Sequence, residues 1–464
     1  MPETSLAGLC RLTVRTPRNS LDLAVPSDVP VADLLPAVLR HADADTEEQG
    51  LEHAGWVLQT LGGSPLEGEG TLASSNINDG EVLYLRPRTD QLPEVRLDDL
   101  VEGIADNLRD RLHTWSPQSS RMLLRSLTGF ALTAGLLILA SPGFAALTRV
   151  AALAVTAALL LAAAATASRA VGDAASGAVL GSFAPPCLAL AGALVAGTPG
   201  GRGDEALGAA LLAAGAAGAG SAALALSLVG LHTPLFSAWI LAALAGASTG
   251  ALMAFTGLQL AEAALVVASI GAILSPFVPS VAFKLAGMRM PFLPSNPQQL
   301  QEDIEPYSSQ TVASRTTIAS TWMTALYGVI GAVVTVCFAA ATTSQSLPVR
   351  ITETVLSLLL LLHGRAIGNV WQRLAMVLPG AAGLSLLAIS AAMTAQPGTR
   401  LLLAAAVLAT AAALAVVSWF LPGRRLVPHW GRAAEILHSV LAMSLLPLLL
   451  WVLGVFGRLR GFGG

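Results

Sequence analysis

One lysine, three cysteines and three tyrosines in 464 residues, with charged residues held to 12%, are what this sequence is short of. The single lysine, Lys284, leaves arginine to carry nearly all the positive charge. With a net charge of -3, no basic tract for nucleic acid remains. Cys10, Cys187 and Cys337 lie far apart, which excludes a disulfide framework and any zinc-ligand spacing. There is no GxxxxGK[ST] phosphate loop, no HExxH metal pair and no recognisable nucleophile constellation, so no catalytic, cofactor-binding or metal-binding residue is assigned and no enzyme is expected. Residues 1–20 carry Glu3, Arg11, Arg15 and Arg18 without a continuous apolar run, so no cleavable signal peptide is expected either.

What the chain has in abundance is apolar surface: 54% hydrophobic residues and a mean hydropathy of +0.66. After a polar first quarter come about eleven hydrophobic stretches, each roughly 20 residues and long enough to span a bilayer. They fall near 124–141, 149–168, 176–197, 206–229, 235–256, 259–281, 318–341, 352–368, 374–394, 401–421 and 434–456. If the polar head is cytosolic, the inward flanks carry Arg121, Arg125, Arg169, Lys284, Arg289, Arg315, Arg365, Arg373, Arg424, Arg425 and Arg432. The outward flanks carry only Arg149, Arg202, Arg350, Arg400, Arg458 and Arg460. The excess of inward cations predicts a cytoplasmic N-terminal domain and, with an odd number of spans, an external C-terminus. The protein is read as a multi-pass plasma (inner) membrane component whose surroundings are membrane lipids.

The head opens with alternation in Leu9-Cys10-Arg11-Leu12-Thr13-Val14-Arg15, which sets Leu12 and Val14 against Arg11 and Arg15. A turn at Pro17 to Asn19 leads to a second strand, Ser20 to Val25. Ser27 or Asp28 is the expected cap of a helix running to about His41, with Val31, Leu34, Leu35, Val38 and Leu39 as its apolar face despite Pro36. A third strand begins at Trp56, Gly62-Gly63 and Asp79-Gly80 supply turns, Leu72 and Ile77 anchor the core, and Val82 to Leu85 closes the sheet. Two strands, a helix and a return pair fit a ubiquitin-like β-grasp, the alternative being an unrelated small α+β domain. Conjugation is not implied, because the last strand runs into Arg86-Pro87-Arg88 rather than a Gly-Gly tail. A docking module is the better reading. The predicted class is therefore an α+β head plus an all-α membrane domain, divided into a ubiquitin-like domain at 1–90, an amphipathic linker at 91–120 and a polytopic transmembrane domain at 121–464.

In the linker, Leu97, Leu100, Val101, Ile104, Ala105, Leu108 and Leu112 recur at helical spacing, giving an apolar stripe that needs a partner. The longest internal polar break, Ala286 to Thr317, holds Phe292 in a Pro-rich run and then Glu302-Asp303. Loops of that length are commonly functional. Leu100, Ile104, Leu108, Phe292, Glu302 and Asp303 are accordingly the candidate interaction residues. Glu262, Glu353, His363, Arg365, Glu435 and His438 lie within or near span ends, and a charge in the membrane is worth a functional hypothesis because it is costly to bury. Glu353 follows Arg350 and Glu435 follows Arg432, so the expectation is that these are solvated helix-end charges. Gly246 to Gly250 and Gly364 to Gly368 have GxxxG spacing and Gly208 to Gly220 is nearly all Ala and Gly; the expectation is that these stripes pack within the bundle.

Taken in order, these features resemble the EccD family, the polytopic membrane subunit of actinobacterial type VII (ESX) secretion systems. The resemblance rests on the sequence of head, acidic linker and spans, and on four segments. These are Leu97-Asp98-Asp99-Leu100-Val101-Glu102-Gly103-Ile104-Ala105, the loop entered from Ala282-Phe283-Lys284-Leu285-Ala286, Gln372-Arg373-Leu374-Ala375, and Trp430-Gly431-Arg432-Ala433-Ala434-Glu435-Ile436-Leu437. It implies a non-catalytic core component of a machine exporting small helical proteins, a homodimer within a larger assembly that includes EccB-, EccC- and EccE-like subunits. The EccC-like subunit would supply ATP hydrolysis, and no cofactor or nucleic acid is implied for this chain. The competing class is a secondary transporter with a cytosolic regulatory domain, which calls for carboxylates near the centres of several spans.

Overall fold

Strand β1 (Leu9–Arg15) buries Cys10, Leu12 and Val14 while Arg11 and Arg15 stay exposed, as a period of two demands. It belongs to a computed structural model that describes residues 9–16, 19–42, 55–61, 63–88, 115–197, 203–288, 308–420 and 428–461. Contacts divide the chain into two units, Met1–Ser116 and Pro117–Gly464.

In the first unit β1 pairs antiparallel with β2 (Ser20–Pro26) and parallel with β4 (Glu81–Pro87), which in turn pairs antiparallel with β3 (Trp56–Thr60). The strand order β2-β1-β4-β3 is that of the ubiquitin-like β-grasp. Helix α1 (Val31–Ala42) packs Val31, Leu34 and Val38 against Leu12, Leu58, Leu83 and Leu85. Leu72 is wholly buried and Ile77 packs on the same core. The expected cap at Ser27 or Asp28 is not used. The helix starts later, at Val31, and the Pro30 carbonyl is the first acceptor, taking the amides of Asp33 and Leu34. Gly80 takes φ +87, where a side chain would strain the turn, and its amide donates to the Arg11 carbonyl at 2.7 Å. The Arg11 amide donates to Asp79 Oδ1, so the turn is tied back to β1.

The second unit contains, among the described residues, 11 helices long and apolar enough to cross a membrane. They are α2 (Pro117–Ala140), α3 (Ala146–Arg169), α4 (Ala174–Ala196), α5 (Asp204–Val229), α6 (Thr233–Thr256), a split span α7 (Leu260–Leu274) and α8 (Val278–Leu285), then α9 (Ser309–Ala341), α10 (Leu347–Gly364), α11 (Val370–Thr394), α12 (Pro397–Phe420) and α13 (Pro428–Val452). A short α14 (Val455–Gly461) follows Gly454 at φ +67. Several spans begin earlier than hydropathy suggests, because polar first turns continue the helix into the interface. The eighth span covers Leu347–Gly364 rather than 352–368, and the Arg350 amide donates to the Ser346 carbonyl in its first turn. Pro185-Pro186 leaves α4 uninterrupted, whereas Pro276 sits in a 3-10 turn, Ser275–Phe277, that separates α7 from α8.

Two cores hold the membrane unit. One gathers Leu153, Leu160, Cys187, Val229 and Phe236 from α3, α4, α5 and α6. The other gathers Leu265, Phe338, Leu356, Leu360, Met376 and Leu445 from α7, α9, α10, α11 and α13. Ala245 and Leu252 of α6 also pack on the second core, so that helix touches both.

Candidate functional site

Leu100, Ile104, Leu108, Phe292, Glu302 and Asp303, the expected interaction residues, lie outside the described residues. What the structure does place are the polar groups of the spans and the surfaces the bundle leaves uncovered.

Arginines tie helix ends together. Arg125 of α2 donates through Nη2 to both oxygens of Asp173 and through Nε to Ser176 Oγ. Asp173 caps α4 by accepting from the Ser176 amide. The Ser176 hydroxyl and amide, followed by Arg125, hold the Asp173 carboxyl well below the usual carboxylate range. At the opposite end of α2, Arg149 donates to the carbonyls of Leu139 and Ala140, while Arg169 donates to Ser227 O and the Ser168 hydroxyl to Val229 O where α5 ends. These bonds satisfy carbonyls left open at helix C-termini, which is where a cation is also favoured by the dipole.

Glu262 completes a capping box with Gln259 at the start of α7, an ordinary helix-end role. Glu435 is exposed on α13, and the cation beside it is Arg365, 3.9 Å away across from α10, rather than its chain neighbour Arg432. Arg365 also donates to the Gly431 carbonyl.

Glu353 corrects the expectation of a solvated charge. Its residue is 1% exposed, and Oε1 has no hydrogen-bond partner among the described residues. Arg350 donates to Gln345 Oε1. One turn on, Ser357 is equally buried and its Oγ also lacks a partner there, while Thr352 donates to the Pro348 carbonyl. This polar seam on α10 is covered by α11 at glycines: a Cβ at Gly383 would stand 2.2 Å from Ser357 Oγ, and one at Gly380 2.6 Å from Ser357 O. At the other end of α10 the His363 ring stacks on His438 with centroids 5.8 Å apart and tilts towards Tyr327 at 6.3 Å. Sequence spacing hides this seam because Arg350 and Glu353 look like a pair. Among the described residues no three His, Cys, Asp or Glu side chains gather as a metal site.

The glycine stripes pack within the bundle at some positions and not at others. A Cβ at Gly250 would lie 2.3 Å from Leu212 N and 2.6 Å from Gly208 O, and one at Gly215 2.4 Å from Ala247 N, so α5 and α6 touch backbone to backbone. Gly246 and Gly368 face open space. In α2 and α12 no residue is fully buried, although Leu132, Leu136 and Leu139 of α2 pack partly on the first core, and Phe130, Leu402, Leu408 and Trp419 are exposed.

Comparison with known proteins follows these two units. A family model for the EccD-like transmembrane domain matches residues 120–462, and one for the WXG100 protein secretion system (Wss) protein YukD matches residues 9–85. The chain is similar to the ESX-4 secretion system protein eccD4 of Mycobacterium tuberculosis, strains CDC 1551 / Oshkosh and ATCC 25618 / H37Rv, at 34% identity over 132 residues. That match spans 28% of this chain and 28% of the relative. In fold it is similar to protomer 1 of the ESX-3 core complex, with a TM-score of 0.58 at 17% identity over 97% of this chain and 100% of the other. It is similar too to a chain of the MycP5-free ESX-5 inner membrane complex, State II, with a TM-score of 0.56 at 20% identity over 88% and 99%.

Proposed function

The chain belongs to the EccD family, and on that footing we propose that it is a non-catalytic scaffold in the plasma-membrane complex of a type VII (ESX) secretion system. In this reading residues 1–90 form a cytoplasmic docking head, 91–120 an amphipathic linker and 121–464 the membrane frame, with the C-terminus external. The head, the stripe through Leu100, Ile104 and Leu108, and the loop bearing Phe292, Glu302 and Asp303 hold an EccC-like ATPase and EccB- and EccE-like subunits in register. Two copies of the chain sit together in that assembly while small helical proteins are exported. The observation that supports this most is the pairing of a β-grasp head with a bundle whose flanking helices α2 and α12 fully bury none of their residues. Such faces suit helix-to-helix assembly in lipid, where close packing rather than water drives association.

Tagging the chain in its host and extracting it in mild detergent tests the reading. Recovery of an FtsK/SpoIIIE-like ATPase and further membrane subunits in one large complex is expected. A protein that is solitary across gentle extractions counts against it. Replacing Ile104 and Leu108 with Asp should weaken recovery of the complex while insertion persists; normal assembly would remove the linker from the proposal.

A secondary transporter with a regulatory head has one observation in its favour, the buried Glu353 in the eighth span. It requires substrate-dependent protection of residues around Glu353 in the isolated protein, which a scaffold does not show.

A further inference from the structure

Between α6, the broken span α7–α8 and α9 runs an apolar slot of about 340 Å³, lined by Leu244, Ile270, Phe277, Val281, Ile330 and Val333 and open at the surface of the bundle. Two small residues make room for it. Ser248 lies on the α6 wall, and at Gly271 an added Cβ would meet nothing nearer than Ile330 Cγ2 at 3.6 Å. The lining runs from Val267 to Val281, which is roughly 20 Å at the helical rise. A slot so long and so small in volume takes a methylene chain; a second helix, about 10 Å across with its side chains, does not fit.

The slot's own lining carries no charge, and two cations lie beyond one end of it. Leu274, Phe277, Val278 and Val281 line it at successive helical steps, and the next steps along the same face are Lys284, the chain's single lysine, and Leu285. On the opposite wall, Leu326 lies eleven residues from Arg315, just over three turns, so the two share a face of α9. Arg315 Nη1 donates to Gly287 O just beyond α8, and the Gly287 amide donates to Lys284 O, so the two cations stand near each other past that end of the slot. Lys284 and Arg315 are both exposed.

We propose that this slot is a discrete binding site for an anionic phospholipid, with one acyl chain between α6, α7–α8 and α9 and the phosphate headgroup held by Lys284 and Arg315. The hydrocarbon wall alone gives little preference, since an acyl chain is as well solvated by the rest of the bilayer as by leucine and valine. Selectivity comes from the mouth, as at other basic pockets between membrane helices. Every residue of the site belongs to the helical unit, so it stands or falls independently of the scaffold reading.

Native mass spectrometry of the full chain in neutral detergent, titrated with phosphatidylglycerol, phosphatidylcholine or inorganic phosphate, tests it. Wild type should retain one phosphatidylglycerol in preference to phosphatidylcholine. Lys284→Gln or Arg315→Gln should weaken that lipid roughly 5-fold and the double variant about 30-fold, while Arg121→Gln on α2 leaves it unchanged. Gly271→Leu, whose Cβ makes only ordinary contacts, should displace the lipid by filling the slot without touching the charge. An unchanged phosphatidylglycerol preference in the double variant overturns the proposal. So does full lipid retention in Gly271→Leu, or inorganic phosphate binding with equal affinity for the two lipids, which would make the mouth an anion site without a chain.

Discussion

A single guanidinium nitrogen of Arg125 lies 2.9 Å from Asp173 Oδ1 and 3.0 Å from Oδ2, joining α2 to the start of α4 across 48 residues. Because Ser176 and Arg125 depress the Asp173 carboxyl in the folded chain, their contribution is fully present above the unfolded carboxylate value, about 3.9, and is lost as pH falls through the lower folded value. Asp173→Asn should therefore lower the melting temperature of the detergent-solubilised protein at pH 7. The gap to wild type should stay level down to about pH 4 and close below it. A gap that widens in acid would contradict this assignment.

Glu353 separates the two functional readings. Glu353→Gln keeps the volume and can donate a hydrogen bond, so in a scaffold both complex recovery and export remain at wild-type levels. Glu353→Arg places a permanent charge inside the membrane at a cost of about 2.5–3.5 kcal/mol, and the yield of folded protein should fall sharply. Export lost in the Gln variant with assembly intact would assign the carboxyl a working role.

Gly246 and Gly250 belong to one GxxxG stripe yet should respond differently to alanine. Gly250→Ala sets a methyl against Leu212 N and Gly208 O and should destabilise the bundle by roughly 1–3 kcal/mol, as overpacking does. Gly246→Ala meets open space and should be neutral to slightly stabilising. Thermal unfolding of the two variants side by side reads the difference.

In the head, Leu83 is fully buried in the central strand β4. Leu83→Ala should cost about 2–5 kcal/mol. Hydrogen exchange of the whole chain should then quicken in β1, β3 and β4 while the helical spans keep their protection.

Alternation placed β1 and β4 within a residue or two, and hydropathy alone supplied the eleven spans. Both signals are local, alternation in one case and an unbroken apolar run in the other, and a local signal survives without knowledge of partners. The parts that escaped depend on groups distant in the chain. Nothing local distinguishes Gly250 from Gly246, since what separates them is Leu212 on another helix. Glu353 looked solvated because Arg350 stands three residues away, and only the fold shows that guanidinium bonded to Gln345. The first helix starts past two good capping residues, with the Pro30 carbonyl as its first acceptor. The candidate docking residues of the linker and the Pro-rich loop, legible as an apolar stripe and an acidic cluster, remain proposals.

The order β2-β1-β4-β3 has a mechanical corollary. The strand from which the chain continues towards the membrane, β4, is gripped on both edges, by β1 in parallel and β3 antiparallel. A tug arriving through Pro87 cannot peel an outer hairpin away; it must shear two ladders at once. Resistance to a pull on that strand is therefore shared between the β1 and β3 ladders rather than left to one open edge.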